Sequence, residues 1–357
     1  MTSASDPMER RPRTNSRLSS LIYRLKRADN LSSDEAADLV NCLLAETATD
    51  GEIAAALVAW ANKGETVDEL VGCATVIRAN ALRIHARYES FLDTAGTGSS
   101  RAKTFNVSTA AAFVVAGAGV PVAKHGNRGV TSRTGSSDVL TALGVCIDAL
   151  PETTEKCLHE FGICFMFAPL YHGTTRRVAA VRRELGIRTI FNLLGPLTNP
   201  AGAPFQIVGV SQAAQVEPLA KALSALGTKR AWVVHGLDGL DEVTLAEKTL
   251  VAEACDGSVQ TFELGPEDFG MTRASLKEFA SPNPETSAQI IREVLWARLK
   301  GAARDLIVAN AAAALVVAGA TVSLLEGRRL AENSIDSGAA ARKLNDLIGG
   351  SKTGPDV

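Results

Sequence analysis

Apolar residues in residues 18–85 recur at three- and four-residue spacing, most clearly in 36–44 and again in 53–60, which is the period of an amphipathic helix. Ser33 before Asp34 and Glu35, Asp50 before Glu52, and Thr66 before Asp68 and Glu69 each put a capping side chain ahead of first-turn acids. The pattern predicts three or four short helices and no strand. Such a unit buries too little apolar surface to stand alone.

The texture changes at Phe91. From there to Gly144, clusters of Gly, Ser and Thr alternate with short apolar runs, 110–115 and then 120–123. Further strand-like runs at 206–210 and 231–234 flank a helical pattern at 214–226, and strand–helix–strand in that order implies parallel neighbours. A second helical patch, 151–187, interrupts this texture and is assigned to the N-terminal helical unit. Residues 285–347 again read as helix, and the small-residue run 309–318 within them reads as tight helix packing. The predicted class is α/β: a small all-helical domain (17–88 with 151–187) and a larger domain (89–150 with 188–348) around a mostly parallel sheet. Tails are expected at 1–16 and 349–357.

Composition narrows the partners. A net charge of −2 with interspersed signs carries no electrostatic footprint for nucleic acid or an anionic membrane. Six scattered cysteines without a CxxC pair suit reduced thiols in the cytoplasm rather than a disulfide framework or a zinc site. No apolar stretch follows the Arg-containing N-terminus, so neither a signal peptide nor a membrane span is expected.

Chemistry concentrates between residues 93 and 138. In the run Asp-Thr-Ala-Gly-Thr-Gly-Ser-Ser, Gly96 and Gly98 bracket Thr97 after a short strand. Such a turn aims successive N–H groups at one point, which suits a phosphate, although a bare Gly-Thr-Gly is more often only a turn. It matches neither GxGxxG nor the P-loop. Thr104, Asn106, Ser108 and Thr109 then lead into an apolar helix, with Ser108 and Thr109 as N-cap candidates whose free N–H groups favour an anion. Lys124, His125, Gly126, Asn127 and Arg128 follow the next short strand, with Thr131, Ser132, Arg133 and Thr134 after Gly129. Two cations, an imidazole, an amide and several hydroxyls at a strand's carboxyl end point to a ligand site more than to packing. Ser136 opens the following helix and offers a further phosphate contact.

These segments together resemble the anthranilate phosphoribosyltransferase family, which shows GTGGD, N-x-S-T and KHGNR in this order at nearly this spacing. Arg188 to Asn192 with Gly195, Pro196, Leu197, Asn199 and Pro200 is similar to its RTIFN…GPL.NP stretch, and Asp241–Glu242 to its acidic pair. The resemblance spans residues 18–347. It implies a small helical domain on a larger α/β domain, as in class II nucleoside phosphorylase-like enzymes, with the active site in the cleft between them. It implies transfer of the phosphoribosyl group of 5-phosphoribosyl diphosphate (PRPP) to the amine of anthranilate in tryptophan biosynthesis, with Mg²⁺ and as a homodimer.

Carried over by position, the family places Gly96, Gly98, Ser99 and Ser100 on the diphosphate. Thr104, Asn106, Ser108 and Thr109 take phosphate and ribose, and Lys124, His125, Gly126, Asn127, Arg128, Gly129, Thr131, Ser132 and Ser136 wrap the sugar phosphate. Gly96, Asn127 and Arg182 face anthranilate, with Arg182 toward its carboxylate. Ser108, Asp241 and Glu242 hold magnesium. No side chain is expected to act as nucleophile or general base. The chain departs from the family twice. Ser99-Ser100 stand where it has Gly-Asp, which removes a carboxylate, and Gly173 stands where Pro usually follows the His of Tyr171-His172. Two other functions on this fold leave different marks. A pyrimidine nucleoside phosphorylase carries a lysine-rich loop near the glycines, which is not evident. A non-catalytic nucleic-acid-binding relative shows a basic face and lacks the acceptor residues.

Overall fold

The computed structural model describes residues 16–98, 104–129, 134–281 and 283–352. Four helices come first: α1 (Ser16–Lys26), α2 (Ser33–Leu44), α3 (Asp50–Lys63) and α4 (Val67–Ala79). Their starts are set one residue earlier than the acids suggest in two cases. Ser32, Thr49 and Thr66 are the N-caps, because each has a glutamate three residues on (Glu35, Glu52, Glu69) that returns the hydrogen bond and closes a capping box.

The remaining chain alternates: β1 (Leu92–Asp93), α5 (Val107–Gly117), β2 (Val122–Gly126), α6 (Ser136–Leu143), α7 (Pro151–Phe161) and β3 (Ile163–Phe167). Short α8 (Ala168–Tyr171), α9 (Arg176–Leu185) and α10 (Phe191–Leu197) lead to β4 (Phe205–Gly209), α11 (Val216–Ala225) and β5 (Arg230–Gly236). Two further strands, β6 (Thr249–Cys255) and β7 (Ser258–Leu264), precede α12 (Pro284–Leu295), α13 (Ala302–Val317), α14 (Leu324–Asp336) and α15 (Ala339–Gly350).

The seven strands form one sheet in the order β3-β2-β1-β4-β5-β6-β7. The β3-β2-β1-β4-β5 portion is parallel, while β6 and β7 add antiparallel to the edge. Asp256 and Gly257, both at positive φ, make the two-residue turn between β6 and β7. Side chains alternate across the sheet as its period of two requires. Ile207, Trp232, Val234 and Val251 face a core formed with α5, α13 and α15. Val208, Val210, Ala231, Val233, Ala252 and Ala254 face the opposite core, which runs without a break into α1 to α4. The helical domain is therefore seated on the sheet through α4, α10 and α11 rather than tethered beside it.

The 151–187 patch does not stay together as a helical unit. Ile163–Phe167 is a strand paired parallel to β2, and α7 packs on it and on α15. Only α9 joins the helical bundle, against α3 and α2. Five consecutive apolar residues buried on both faces carry no period that separates a strand from a helix. Residues 349–351 do not belong to a tail. α15 includes Gly349 and Gly350, and buried Ser351 accepts the Cys146 N–H through Oγ at 3.0 Å.

Candidate active site

The strand order reverses beside β1: the chain moves outward to β2 and β3, then returns to place β4 on the other side. Crevices at such a switch point, outside the carboxyl ends of the strands, are where parallel sheets bind ligands. The loop after β1 lies there, and Thr97 N–H donates to the Gly209 carbonyl at the end of β4 (2.9 Å). A cavity of about 300 Å³ opens above it, floored by the ends of β1, β2 and β4 and flanked by the start of α5, the 241–242 segment, α9 and α10.

Gly96, Gly98, Thr104, Asn106, Ser108, Lys124, His125, Gly126, Asn127, Arg128, Gly129, Ser136, Arg182, Asp241 and Glu242 all line this one cavity. Thr109 does not. Its side chain is 1 % exposed and faces the interior behind α5, because the N-cap of that helix is Asn106 rather than Ser108 or Thr109. Ser99, Ser100, Thr131 and Ser132 lie outside the described residues.

Lys124 and His125 are presented at the end of β2 by buried partners. Lys124 Nζ donates to the carbonyl and the hydroxyl of Thr94, each at 3.0 Å. Asp93, fully buried, accepts from the His125 N–H (3.1 Å) and from Asn199 Nδ2 (2.7 Å). Burial lifts the Asp93 carboxyl to about 6 against the pull of Lys124 and Asn199. Burial likewise pushes the Lys124 ammonium down, while Asp93 and Glu242 draw it back up. A single Asp138 oxygen accepts from both Gly129 N–H (3.0 Å) and Gly135 N–H (2.8 Å), which folds the Lys124–Gly129 loop back onto the start of α6.

Opposite stands the acidic segment. The Ser108 N–H donates to Glu242 Oε1 at 3.1 Å. Burial, then the charge of Asp241, raises the Glu242 carboxyl to about 8, with Lys124 and Ser108 opposing. Two acids held close in a recess favour positive charge between them, and a hard divalent ion fits their chemistry. Among the described residues no cluster of three or more His, Cys, Asp or Glu side chains could hold a metal. Asp241, Glu242 and Ser108 line the cavity together, a sparse oxygen set of the kind that suits an ion completed by water and phosphate oxygens.

Three features around the cavity lie outside the motifs, and the first two hold the acidic segment. Gly209 lets the Asp241 backbone pass so close that a Cβ there would lie 1.7 Å from the Asp241 carbonyl oxygen. Asn310, buried in α13, accepts the Val243 N–H and donates to the Val243 carbonyl, both at 2.9 Å. Its signal was present: one amide in a run of Ala, Val and Leu must find polar partners. The third, Ser287, acts at Asn106, where its hydroxyl meets the backbone and the side chain at 2.9 Å.

The remaining wall is cationic and aromatic. The Arg182 guanidinium lies 5.4 Å over the Phe191 ring and donates to Asn192 Oδ1 at 3.2 Å. Its Nε is buried and has no hydrogen-bond partner among the described residues. Burial lowers this group to about 10, so it remains charged at neutral pH.

His125 and His172 meet edge-on, ring centroids 5.1 Å apart, and His125 Nδ1 contacts the Gly195 carbonyl at 3.0 Å. Burial first, then the neighbouring His172 and Lys124, drops His125 to about 3, and burial drops His172 to about 4. Both are neutral in the fold, whereas in the unfolded chain they take protons near 6.5. Their contribution is therefore complete above that pH and is lost as pH falls through 6.5 toward 4, at up to about 1.4 kcal/mol per pH unit for each. Urea unfolding between pH 7 and 4.5 should show this slope, flattened in His125→Asn/His172→Asn. An unchanged slope in the double variant would contradict the neutral pair.

Residues 19–81 match the helical bundle domain of the glycosyl transferase family, and residues 88–341 match its a/b domain. The anthranilate phosphoribosyltransferase of Moorella thermoacetica is 48 % identical over 331 residues, covering 93 % of this chain and 97 % of that one. That of Azorhizobium caulinodans is 48 % identical over 327 residues, 92 % and 94 % of the two chains. The crystal structure of anthranilate phosphoribosyltransferase from Thermus thermophilus superposes with a TM-score of 0.88 at 38 % identity, covering 93 % of this chain and 99 % of that one. The Saccharomyces cerevisiae enzyme, solved in complex with PRPP and Mg, gives 0.86 at 28 % identity, covering 95 % and 98 %. Matched in both domains and along almost the whole length of these relatives, the chain belongs to the anthranilate phosphoribosyltransferase family of glycosyl transferases.

Proposed function

We propose that the chain transfers the 5-phosphoribosyl group of PRPP to the amine of anthranilate, releasing pyrophosphate, as a step of tryptophan biosynthesis. One observation carries this reading: a single cavity pairs backbone and ammonium donors around an acidic pair at one end with an arginine on an aromatic ring at the other. The first end suits a diphosphate, the second a small aromatic carboxylate.

Gly96, Gly98, Thr104, Asn106 and Ser108 present N–H and side-chain donors to the diphosphate, and Lys124 with residues 125–129 and Ser136 closes over the sugar phosphate. Arg182, still charged, pairs with the anthranilate carboxylate, while Asn127 and the Gly96 backbone border its ring and amine. Asp241, Glu242 and Ser108 would hold Mg²⁺, which when bound offsets the charge of departing pyrophosphate. The aryl amine is neutral at pH 7, so the residues' task is alignment: they set the amine behind the anomeric carbon for an inverting displacement with oxocarbenium character. No nucleophilic side chain is assigned.

The test follows the loss of anthranilate fluorescence with PRPP and Mg²⁺. Turnover is expected, and Arg182→Ala should raise KM for anthranilate by about 10- to 100-fold, the worth of a charge-assisted hydrogen bond. Absence of turnover at every magnesium concentration would overturn the reading. The same proposal has the enzyme cytoplasmic and homodimeric through the helical domain, where α1 leaves Tyr23 60 % exposed. A protomer mass in sedimentation at micromolar concentration would refute the dimer. Among the described residues no helix is long and apolar enough to cross a membrane.

A further inference from the structure

Asn106 begins α5 yet does not cap it. Its side chain makes no bond to the first-turn N–H groups, which is the usual use of an asparagine at that position. The side chain is engaged instead by Ser287, on the first turn of α12 and fully buried. The Asn106 N–H donates to Ser287 Oγ at 2.9 Å, and Ser287 Oγ lies 2.9 Å from Asn106 Oδ1. A hydroxyl has one proton. The backbone N–H can only donate, so Ser287 Oγ accepts there, and it donates its own proton to Asn106 Oδ1.

That reciprocal pair decides which way the amide faces. Asn106 lines the cavity, and with Oδ1 taken the free end of its amide is Nδ2, which carries two donors and meets no acceptor among the described residues. The neighbouring backbone is fixed in the same direction, since Phe105 N–H donates to the Phe279 carbonyl at 3.1 Å and Thr104 bridges to Ala280. Without the hydroxyl the amide could flip, turning its oxygen toward an anionic ligand, or swing back to cap α5.

We propose that Ser287 is a positioning residue for the donor substrate: it holds the Asn106 amide as a pure donor aimed at the diphosphate of PRPP. The inference rests on the assignment of Asn106 to that substrate made above. Ser287 acts only through Asn106, and this separates it from a residue that merely stabilises α12.

The experiment is a double-mutant cycle on the PRPP dissociation constant, read by calorimetry at saturating Mg²⁺ without anthranilate. Ser287→Ala should weaken PRPP about 10-fold, as should Asn106→Ala. The double variant should be no weaker than Asn106→Ala, because the amide that Ser287 orients is gone. Ser287→Cys, with a poorer donor of similar size, should fall between wild type and Ser287→Ala, and it serves as the readout if the alanine variant folds badly. An unchanged constant in Ser287→Ala, or losses that add in the double variant, would overturn the inference while leaving Asn106 in place. An unchanged constant in Asn106→Ala would instead remove Asn106 from the donor site, and this inference with it.

Discussion

Turnover is expected to fall about 10³-fold in Glu242→Ala, the upper end of what one preorganised electrostatic group contributes. The carboxylate is the member of the acidic pair that Ser108 N–H fixes at 3.1 Å, and its position is inherited from the backbone beneath it. Gly209→Ala should therefore lose about 100-fold or more while every proposed ligand is retained. The new Cβ would lie 1.7 Å from the Asp241 carbonyl oxygen, so either the end of β4 or the acidic segment must move. An ångström of displacement at a reacting centre costs this much because catalysis here is alignment. Steady-state kcat for both variants, with circular dichroism to show that they fold, is the measurement. A Gly209→Ala enzyme within a few-fold of wild type would mean that the acidic segment need not sit where the structure puts it.

The largest effect on stability belongs to a residue far from the cavity. Glu69→Ala should destabilise the protein by about 3–5 kcal/mol, the usual result of removing one partner of a buried ion pair. Its carboxylate accepts from the Leu31 N–H (2.9 Å), Trp60 Nε1 (2.9 Å), Lys63 Nζ (3.0 Å) and the Thr66 N–H (3.0 Å). It is fully buried and the Lys63 side chain is 3 % exposed, so the substitution leaves a buried ammonium without its counter-charge and three neutral donors without water. Glu69→Gln keeps the volume and part of the bonding and should lose less. Because α4 carries Glu69 and packs on α11, the loss should appear as cooperative unfolding of both domains, not as local fraying. Urea midpoints with unchanged m-values test this. A loss under about 1 kcal/mol would show that the network is dispensable.

Glu69 also marks how far sequence alone reaches. Its role in a capping box with Thr66 is local, three residues away, and was legible as a helix start. Its bond to Leu31 spans 38 residues and was not. The same division holds in the sheet. The parallel strands around 206–210 and 231–234 announced themselves by the helix between them, whereas β3 could not be told from a helix. The antiparallel β6–β7 hairpin does carry a local mark, the Asp256-Gly257 turn signal between its two strands.

Which segments carry donors, cations and acids is legible along the chain, because loop chemistry is written in contiguous residues: Gly96 to Gly98, Asn106 to Ser108, Lys124 to Gly129, Asp241 and Glu242. The start of α4, and those of α2 and α3 to within one residue, are legible for the same reason, since a cap and its partner are three residues apart. Packing between distant elements is what turns Thr109 inward, brings Ile163–Phe167 into the sheet, and sets Ser287, Asn310 and Gly209 against the residues they touch. Ser287 reaches Asn106 across 181 residues, and Asn310 reaches Val243 across 67. A buried serine or asparagine must find a partner, and that necessity can be read from its type. Which partner it finds is settled by how helices and strands pack, because no periodicity in the chain encodes a contact between elements so far apart.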